Sequence, residues 1–248
     1  MSQLDIFIEA TEKRDQAEGF GPDEFFVHPF GRVKAPANTG FNQVGVEELY
    51  KVISDAHTIA RRGGIFSLFC DIWWAVLQRF SGGEAEYMRL IDGLDPELLE
   101  LSAKGFAVLR EHFVDDMYTS DILGAVFMMG RAKGGGGWPD QEFTPWTMVM
   151  LAAKMTMADL PEERLLKGDR ISVNDPACGA GGQLLGAFSH VAEKYGRRAA
   201  LRLSLSGQDI DPLCATMTKI QTTMIDTTYM LNLIISAATE QLEAQKCK

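Results

Sequence analysis

Cysteine is scarce in this sequence, and the few cysteines follow no pairing pattern. Cys70, Cys178, Cys214 and Cys247 form no CxxC motif, and no histidine stands near them at metal-ligand spacing. Cysteines used in this way are typical of free thiols in a reducing compartment. We therefore expect no disulfide framework and no metal site.

Long apolar runs are missing as well. A membrane-spanning helix needs roughly 18 consecutive apolar residues, and the nearest approach, residues 65–80, is interrupted by Asp71, Gln78 and Arg79. The start of the chain is acidic and lacks the basic segment and apolar core of a signal peptide. The sequence therefore predicts a cytoplasmic protein that does not insert into a membrane.

Positive charge is in deficit, and the deficit is uneven. The net charge is −10, and residues 171–248 contain seven acidic and seven basic side chains, so the excess of acids lies in residues 1–170. This negative balance argues against a protein that binds nucleic acid over its whole surface. The pairs Arg61-Arg62 and Arg197-Arg198 could still contact phosphate locally, or could simply be solvated helix ends.

The front of the chain divides into two parts. Residues 1–42 mix proline, glycine and aromatic residues, and we expect an irregular arm there. Residues 43–133 are expected to form a helical region. Apolar side chains recur there at helical spacing in the segments 46–60 and 65–80. Asp95-Pro96 predicts the start of a helix that runs to Phe113, and another helix is expected over 120–129. The glycine run at 133–137 is either a linker or a loop over a site.

The pattern changes in residues 134–248, which we expect to form a second domain. Thr144-Pro145 predicts a capped helix start, and Ile171 and Val173 predict a short strand. A second strand is expected over 201–205 and a helix over 212–224. Strands and helices that alternate in this order form parallel sheets that bind ligands at the carboxyl ends of their strands. The expected fold class is α/β, a helical N-terminal region followed by a partial Rossmann-like sheet.

The glycine-rich segment 175–182, between the first strand and a helix, carries the strongest functional signal. Gly179 and Gly181 let a ligand approach the backbone, and the helix start offers free N–H groups. Asp175 would repel a pyrophosphate but attract a ligand that carries an ammonium and a sulfonium, which favours S-adenosylmethionine over NAD. Asp209, after the second strand, is placed to accept both ribose hydroxyls. A NAD-dependent oxidoreductase is disfavoured further because the third glycine of its motif is missing.

Four segments between residues 121 and 224 together resemble a family of N6-adenine DNA methyltransferases, the modification subunits of type I restriction-modification systems. Residues 121–124 look like the helix before the first cofactor motif, and Phe143-Thr144-Pro145 looks like the phenylalanine-threonine-proline motif. Residues 175–182 look like the main cofactor loop, and 207–209 like the segment with the ribose-binding acid. The order and spacing of the segments are more specific than any one of them.

The resemblance implies a Rossmann-like methyltransferase sheet with an S-adenosylmethionine site. Phe143 and Thr144 would line the methionine end of the cofactor, and Asp209 would hold its ribose. The full set of cofactor-binding residues that it implies is Phe143, Thr144, Pro145, Asp175, Pro176, Ala177, Cys178, Gly179, Gly181 and Asp209.

Several of these residues also have a purely structural interpretation. Thr144 could serve as a helix cap and nothing more, and the role of Gly181 could be limited to close helix packing. Cys178 is expected to be a small buried filler and not a nucleophile, because adenine N-methylation in this family uses no covalent cysteine. Asp211 is expected to cap the helix that starts at Pro212.

One element of the family is missing from these residues. The family carries a catalytic motif of Asp or Asn, two prolines and an aromatic residue, which holds a flipped adenine. The sequence contains no Pro-Pro, and only 39 residues follow Asp209, which predicts an incomplete sheet and a chain truncated before this motif. Catalytic residues therefore cannot be assigned.

Two functions are compatible with this pattern. The first is an S-adenosylmethionine-binding protein that transfers methyl to adenine N6 in DNA once another subunit, or a second copy, completes it. The alternative is a non-catalytic interaction protein whose acidic helical half binds restriction-modification subunits.

Overall fold

The computed structural model describes residues 43–60, 63–115, 121–132, 141–160, 162–166 and 169–225. Its helices are α1 (Gln43–Ala60), α2 (Ile65–Leu77), α3 (Glu84–Ile91), α4 (Pro96–Asp115), α5 (Ile122–Ala132), α6 (Trp146–Thr156), α7 (Glu162–Leu166), α8 (Gly182–Tyr195), α9 (Arg197–Ala200) and α10 (212–225). The strands are β1 (Ile171–Asp175) and β2 (Leu203–Gly207), and a 3-10 turn at Arg79–Ser81 follows α2. None of the helices described is long and apolar enough to cross a membrane.

Some predictions concern residues outside these ranges. The irregular arm over 1–42 and the glycine run at 133–137 both lie outside the described residues. The predicted boundary between a helical region and a second domain, at 133–134, falls there too, so this division stays a prediction.

The front helices contribute to one apolar core that continues into α8, β2 and α10. The predicted helices of this region are confirmed, and α1 packs mainly against α4 and α5. Trp73 of α2 lies at the centre, 1% exposed, and its indole N–H donates to the Ser102 carbonyl at 2.9 Å. Gly105 makes room for this ring, since a Cβ there would stand 2.9 Å from Trp73 Cζ2. Close packing of large apolar side chains therefore fixes this part of the fold.

Proline marks three helix starts in two different ways. Asp95 accepts the Glu97 N–H at 2.9 Å, and Asp211 accepts the Leu213 N–H at 2.9 Å, so both aspartates cap a helix whose first residue is proline. At α6 the expected cap is wrong. Pro145 itself occupies the N-cap position with an extended backbone, and the helix begins one residue later, at Trp146. Thr144 is therefore left outside the helix, and its side chain is exposed.

Three short helices were not expected from the sequence: α3, α7 and α9. They have eight, five and four residues, which is too few for an apolar stripe to repeat. In α3 no residue is buried. Short helices of this kind leave little signal in the pattern of apolar residues.

The two strands form a parallel pair, as the order of elements predicts. Ile171 lies opposite Leu203, and Asp175 opposite Gly207, so both strands end at the same edge. Helix α8 packs on the apolar face of this pair. The other face exposes only small polar side chains, those of Ser172, Asn174, Ser204 and Ser206. The described residues thus form an α/β structure with a two-stranded parallel sheet, which is smaller than a full Rossmann-like sheet.

Candidate functional site

The loop between β1 and α8, residues 176–181, is tied to the segment that follows β2. The Gln208 N–H donates to the Asp175 carbonyl at 3.0 Å, and the Cys178 N–H donates to the Gln208 carbonyl at 3.0 Å. These bonds continue the parallel pairing beyond the strand ends. Asp175 Oδ1 also accepts the Ala177 N–H at 3.0 Å, which turns the chain at Pro176. Pro176 and Ala177 are exposed at this turn.

Asp209 connects the two halves of this edge. Its Oδ2 accepts the Gly179 N–H at 2.9 Å, and its Oδ1 accepts the Asp211 N–H at 2.9 Å. Each oxygen therefore accepts one backbone bond, and a carboxylate can accept about four. Capacity remains for two more donors, the number that a ribose diol would offer. Asp175, Gly179 and Asp209 thus lie at one edge of the sheet, as expected from the parallel order.

Phe143 lies against the glycine loop although it is distant in sequence. A Cβ on Gly179 would stand 3.1 Å from two carbons of the Phe143 ring. Phe127 of α5 contacts the same ring, with centroids 5.1 Å apart. The phenylalanine-threonine-proline segment therefore joins the loop, and Thr144 and Pro145 are exposed beside it.

Gln141 fixes the position of that segment from its N-terminal side. Its Nε2 donates to Asp211 Oδ2 at 3.1 Å, and its Oε1 accepts the Cys214 thiol at 3.1 Å. Its carbonyl accepts a hydrogen bond from Arg131. Gln141 thereby connects α5, the segment before Phe143 and the start of α10.

Gly181 is required by conformation and by space. It is the N-cap of α8 with a φ of 98°, in the left-handed region that favours glycine. A Cβ there would also stand 3.1 Å from Thr218 Oγ1 of α10. This geometry agrees with the packing interpretation of Gly181 and leaves a ligand contact as a prediction.

The two buried cysteines at this edge act as packing residues. Burial raises the pKa of the Cys178 thiol, and the carboxylates of Asp209 and Asp175 raise it further. Burial, with Asp211 and Asp209 nearby, raises the pKa of Cys214 to about 12. Both thiols are therefore protonated at neutral pH, and a protonated thiol is a poor nucleophile. Cys178 is 5% exposed, which fits the expected role of a buried filler.

A buried polar network lies on the other side of the loop. Asp121 caps α5 by accepting the Gly124 N–H at 2.8 Å, and it accepts an N–H of Gln221 at 2.8 Å. Gln221 also donates to the Ala180 carbonyl at 2.7 Å. Burial raises the pKa of Asp121, although the bonds from Gln221 and Gly124 act in the opposite direction.

Sequence reasoning missed the polar residues of α10 and the exposed residue that precedes it. Thr218 and Gln221 are polar residues three positions apart on an otherwise apolar helix face. This pair of polar residues was the signal that the sequence offered. Ile210 stands between two aspartates and is 99% exposed. The sequence signal for Ile210 was an apolar residue in a loop, with an aspartate on either side.

Three acidic side chains flank the glycine loop. They are Asp175, Asp209 and Asp211, at the end of β1 and in the segment after β2. Among the residues that the structure describes, no three His, Cys, Asp or Glu side chains are grouped to hold a metal ion. Carboxylates in this arrangement favour a ligand that carries positive charge.

Comparison with known proteins identifies one family. The sequence model of the N-6 DNA Methylase family matches residues 112–246, more than half of the chain. The match includes α5, the Phe143 segment, the glycine loop, both strands and α10. Searches of the curated proteins and of the solved structures returned no match.

Proposed function

The chain belongs to the N-6 DNA methylase family, and on that premise we propose that it binds S-adenosylmethionine for methylation of adenine N6 in DNA. One observation carries the proposal. The bond from the Gly179 N–H to Asp209 Oδ2, 2.9 Å long, joins the glycine loop to the expected ribose acid, with Phe143 against the same glycine. When bound, the cofactor supplies an electrophilic methyl group on a sulfonium.

The residues of this edge have the chemistry that such a ligand needs. Asp175 uses Oδ1 for its own turn, and Oδ2 accepts no bond from the described residues, so it would hold the ammonium. Asp209 would accept the ribose hydroxyls with its remaining lone pairs. Phe143 and Thr144 would line the methionine end, and Ile210 would offer apolar surface to the adenine ring.

No residues of this chain are assigned to the adenine that accepts the methyl group, because no catalytic motif of the family is found in the sequence. Methylation of adenine in this family needs the motif of Asp or Asn, two prolines and an aromatic residue, and the sequence has no Pro-Pro. We propose that a partner polypeptide supplies it. Apolar side chains on α6, beside the Phe143 segment, support a protein contact: Met148, Leu151 and Met155 are 53%, 51% and 72% exposed.

Calorimetric titration of the purified protein with S-adenosylmethionine tests the cofactor site. We expect saturable binding of one ligand per chain, with no heat from NAD under the same conditions. Absence of binding would refute the cofactor site. A second titration in the presence of DNA and a modification subunit that carries the Pro-Pro motif, followed by measurement of N6-methyladenine, tests the transfer reaction.

The alternative function, a non-catalytic interaction protein, is favoured by one observation. All of the acidic excess lies in residues 1–170, which precede the cofactor loop in the sequence. This alternative predicts a protein complex that weakens with salt and forms no N6-methyladenine. Formation of N6-methyladenine in a reaction where this chain is the only protein able to bind S-adenosylmethionine would rule it out.

A further inference from the structure

Helix α10 contacts the glycine loop through two polar side chains that the proposed function leaves unused. Thr218 donates its hydroxyl to the Gly179 carbonyl at 2.9 Å. Gln221 donates an N–H to the Ala180 carbonyl at 2.7 Å. Residues three apart lie on the same face of a helix, so one face of α10 holds two consecutive carbonyls of the loop.

Both N–H donors of the Gln221 amide are used. Gln221 is 0% exposed, and besides Ala180 its Nε2 donates to Asp121 Oδ1 at 2.8 Å. Its Oε1 accepts the Leu123 N–H at 3.1 Å. A side-chain amide has two N–H donors, so neither is left over. Gln221 therefore connects the capped start of α5 with the glycine loop in a single side chain.

Fixing these carbonyls also orients the amides of the loop. A peptide unit is planar, and its C=O and N–H point in opposite directions. With the carbonyls of Gly179 and Ala180 directed at α10, the N–H groups of Ala180 and Gly181 are turned away from that helix. The Gly181 N–H closes the turn on the Cys178 carbonyl at 2.7 Å.

Glycine makes this anchoring necessary. Gly179 and Gly181 have φ values of 53° and 98°, and glycine also reaches many other conformations at little cost. A loop with two such residues is ordered only where its surroundings select one conformation. A loop that is ordered before binding spares the ligand the entropic cost of ordering it.

We propose that Thr218 and Gln221 are positioning residues of the cofactor site. They hold residues 178–181 in the conformation that the cofactor needs, and they do so without touching it. The inference rests on the proposed function, because it concerns the same site. Loss of either side chain is expected to loosen the loop and weaken cofactor binding while the fold persists.

Two threonines of α10 provide a matched test. Thr218→Val removes the hydroxyl that holds the loop, whereas Thr222→Val removes one that donates to the Thr218 carbonyl within the helix, at 2.7 Å. We expect faster hydrogen exchange of the Cys178, Gly179 and Gly181 amides in Thr218→Val. We also expect about three- to tenfold weaker S-adenosylmethionine binding in that variant, as for a lost hydrogen bond. Equal behaviour of the two variants would overturn the role of Thr218.

A stability control separates positioning from folding at Gln221. Gln221→Met removes both donors at similar volume and should lower the melting temperature and weaken cofactor binding about tenfold. Leu109→Ala, at a fully buried position of α4, lowers the melting temperature through a core cavity and leaves the bonds of Gln221 in place. We expect faster loop exchange and weaker binding in Gln221→Met alone. Equal losses of affinity in the two variants would contradict the proposal.

The exchange measurement also keeps the two proposals apart. If the wild-type protein binds no S-adenosylmethionine, the proposed function fails. Faster loop exchange in Thr218→Val and in Gln221→Met would still establish that α10 positions the loop. Loop exchange equal to wild type in both variants would overturn the inference, whatever the wild type binds.

Discussion

The front helices and the glycine loop are stabilised in different ways. In α1, α2, α4 and α5, large apolar side chains from several helices interlock, and the Trp73 indole bond is one of few polar contacts inside. Around the loop, polar groups from α10 and from the segment after β2 converge on residues 175–181. The first region is held by shape and apolar burial, and the second by directional bonds. Variants should therefore affect folding in the first region and binding in the second.

The largest effect is expected in the helical core. Trp73→Ala would leave a large cavity and remove the indole bond to the Ser102 carbonyl, and should lower the free energy of unfolding by about 3–5 kcal/mol. Denaturation by urea measures this loss. Since no loop contact involves Trp73, the S-adenosylmethionine dissociation constant of the folded variant should stay near that of wild type. A large loss of affinity would mean that the two regions are coupled.

The next largest effect is expected in binding alone. Asp175→Asn keeps an oxygen for the Ala177 N–H and removes the charge, so it should weaken S-adenosylmethionine binding by about 1–3 kcal/mol without unfolding the protein. Asp92→Asn, at the exposed end of α3, removes the same charge far from the loop and serves as the control. Calorimetry on both variants checks the prediction. Unchanged affinity in Asp175→Asn would remove this residue from the site.

The two ends of α8 test whether the loop differs from an ordinary glycine position. Gly181 begins the helix with a φ of 98°, and Gly196 ends it with a φ of 86° and no atom within 4 Å of a Cβ. Alanine at either position is strained and should cost about 1–3 kcal/mol of unfolding free energy. Only Gly181→Ala should also weaken cofactor binding, because its Cβ would push on Thr218. Equal affinity in the two variants would show that the Thr218 contact is irrelevant.

The regular parts of the fold were predictable from the sequence. Apolar residues at helical spacing located α1 and α2, Asp95-Pro96 located the start of α4, and alternating residues located the strands. Boundaries moved by up to three residues. At α6 the choice between Thr144 and Pro145 as cap depends on backbone angles that sequence does not specify. The short helix α3 was missed because none of its residues is fully buried.

The site was predictable only in part. The motifs placed Asp175, Gly179 and Asp209 at one edge, because parallel strands end together. The contact of Phe143 with Gly179 was suggested only by the family resemblance. Neither the motifs nor the family resemblance suggested the bonds of Thr218 and Gln221 to the loop. These bonds depend on how α10 packs against α5 and the loop. Tertiary packing of this kind has no local signature in a single sequence.

The smallest effect concerns Ile210, the most exposed apolar side chain at the loop edge. Ile210→Ser removes no buried contact, so the free energy of unfolding should change by less than about 0.5 kcal/mol. If the side chain covers the adenine ring, the variant should bind S-adenosylmethionine about three- to tenfold more weakly, as for a partly buried apolar contact. Val44→Ser, another exposed apolar position at 60% exposure in α1, is the control and should leave binding unchanged. A loss of affinity in Ile210→Ser alone would assign this isolated, exposed side chain to the cofactor site. Equal affinity in both variants would remove Ile210 from the site.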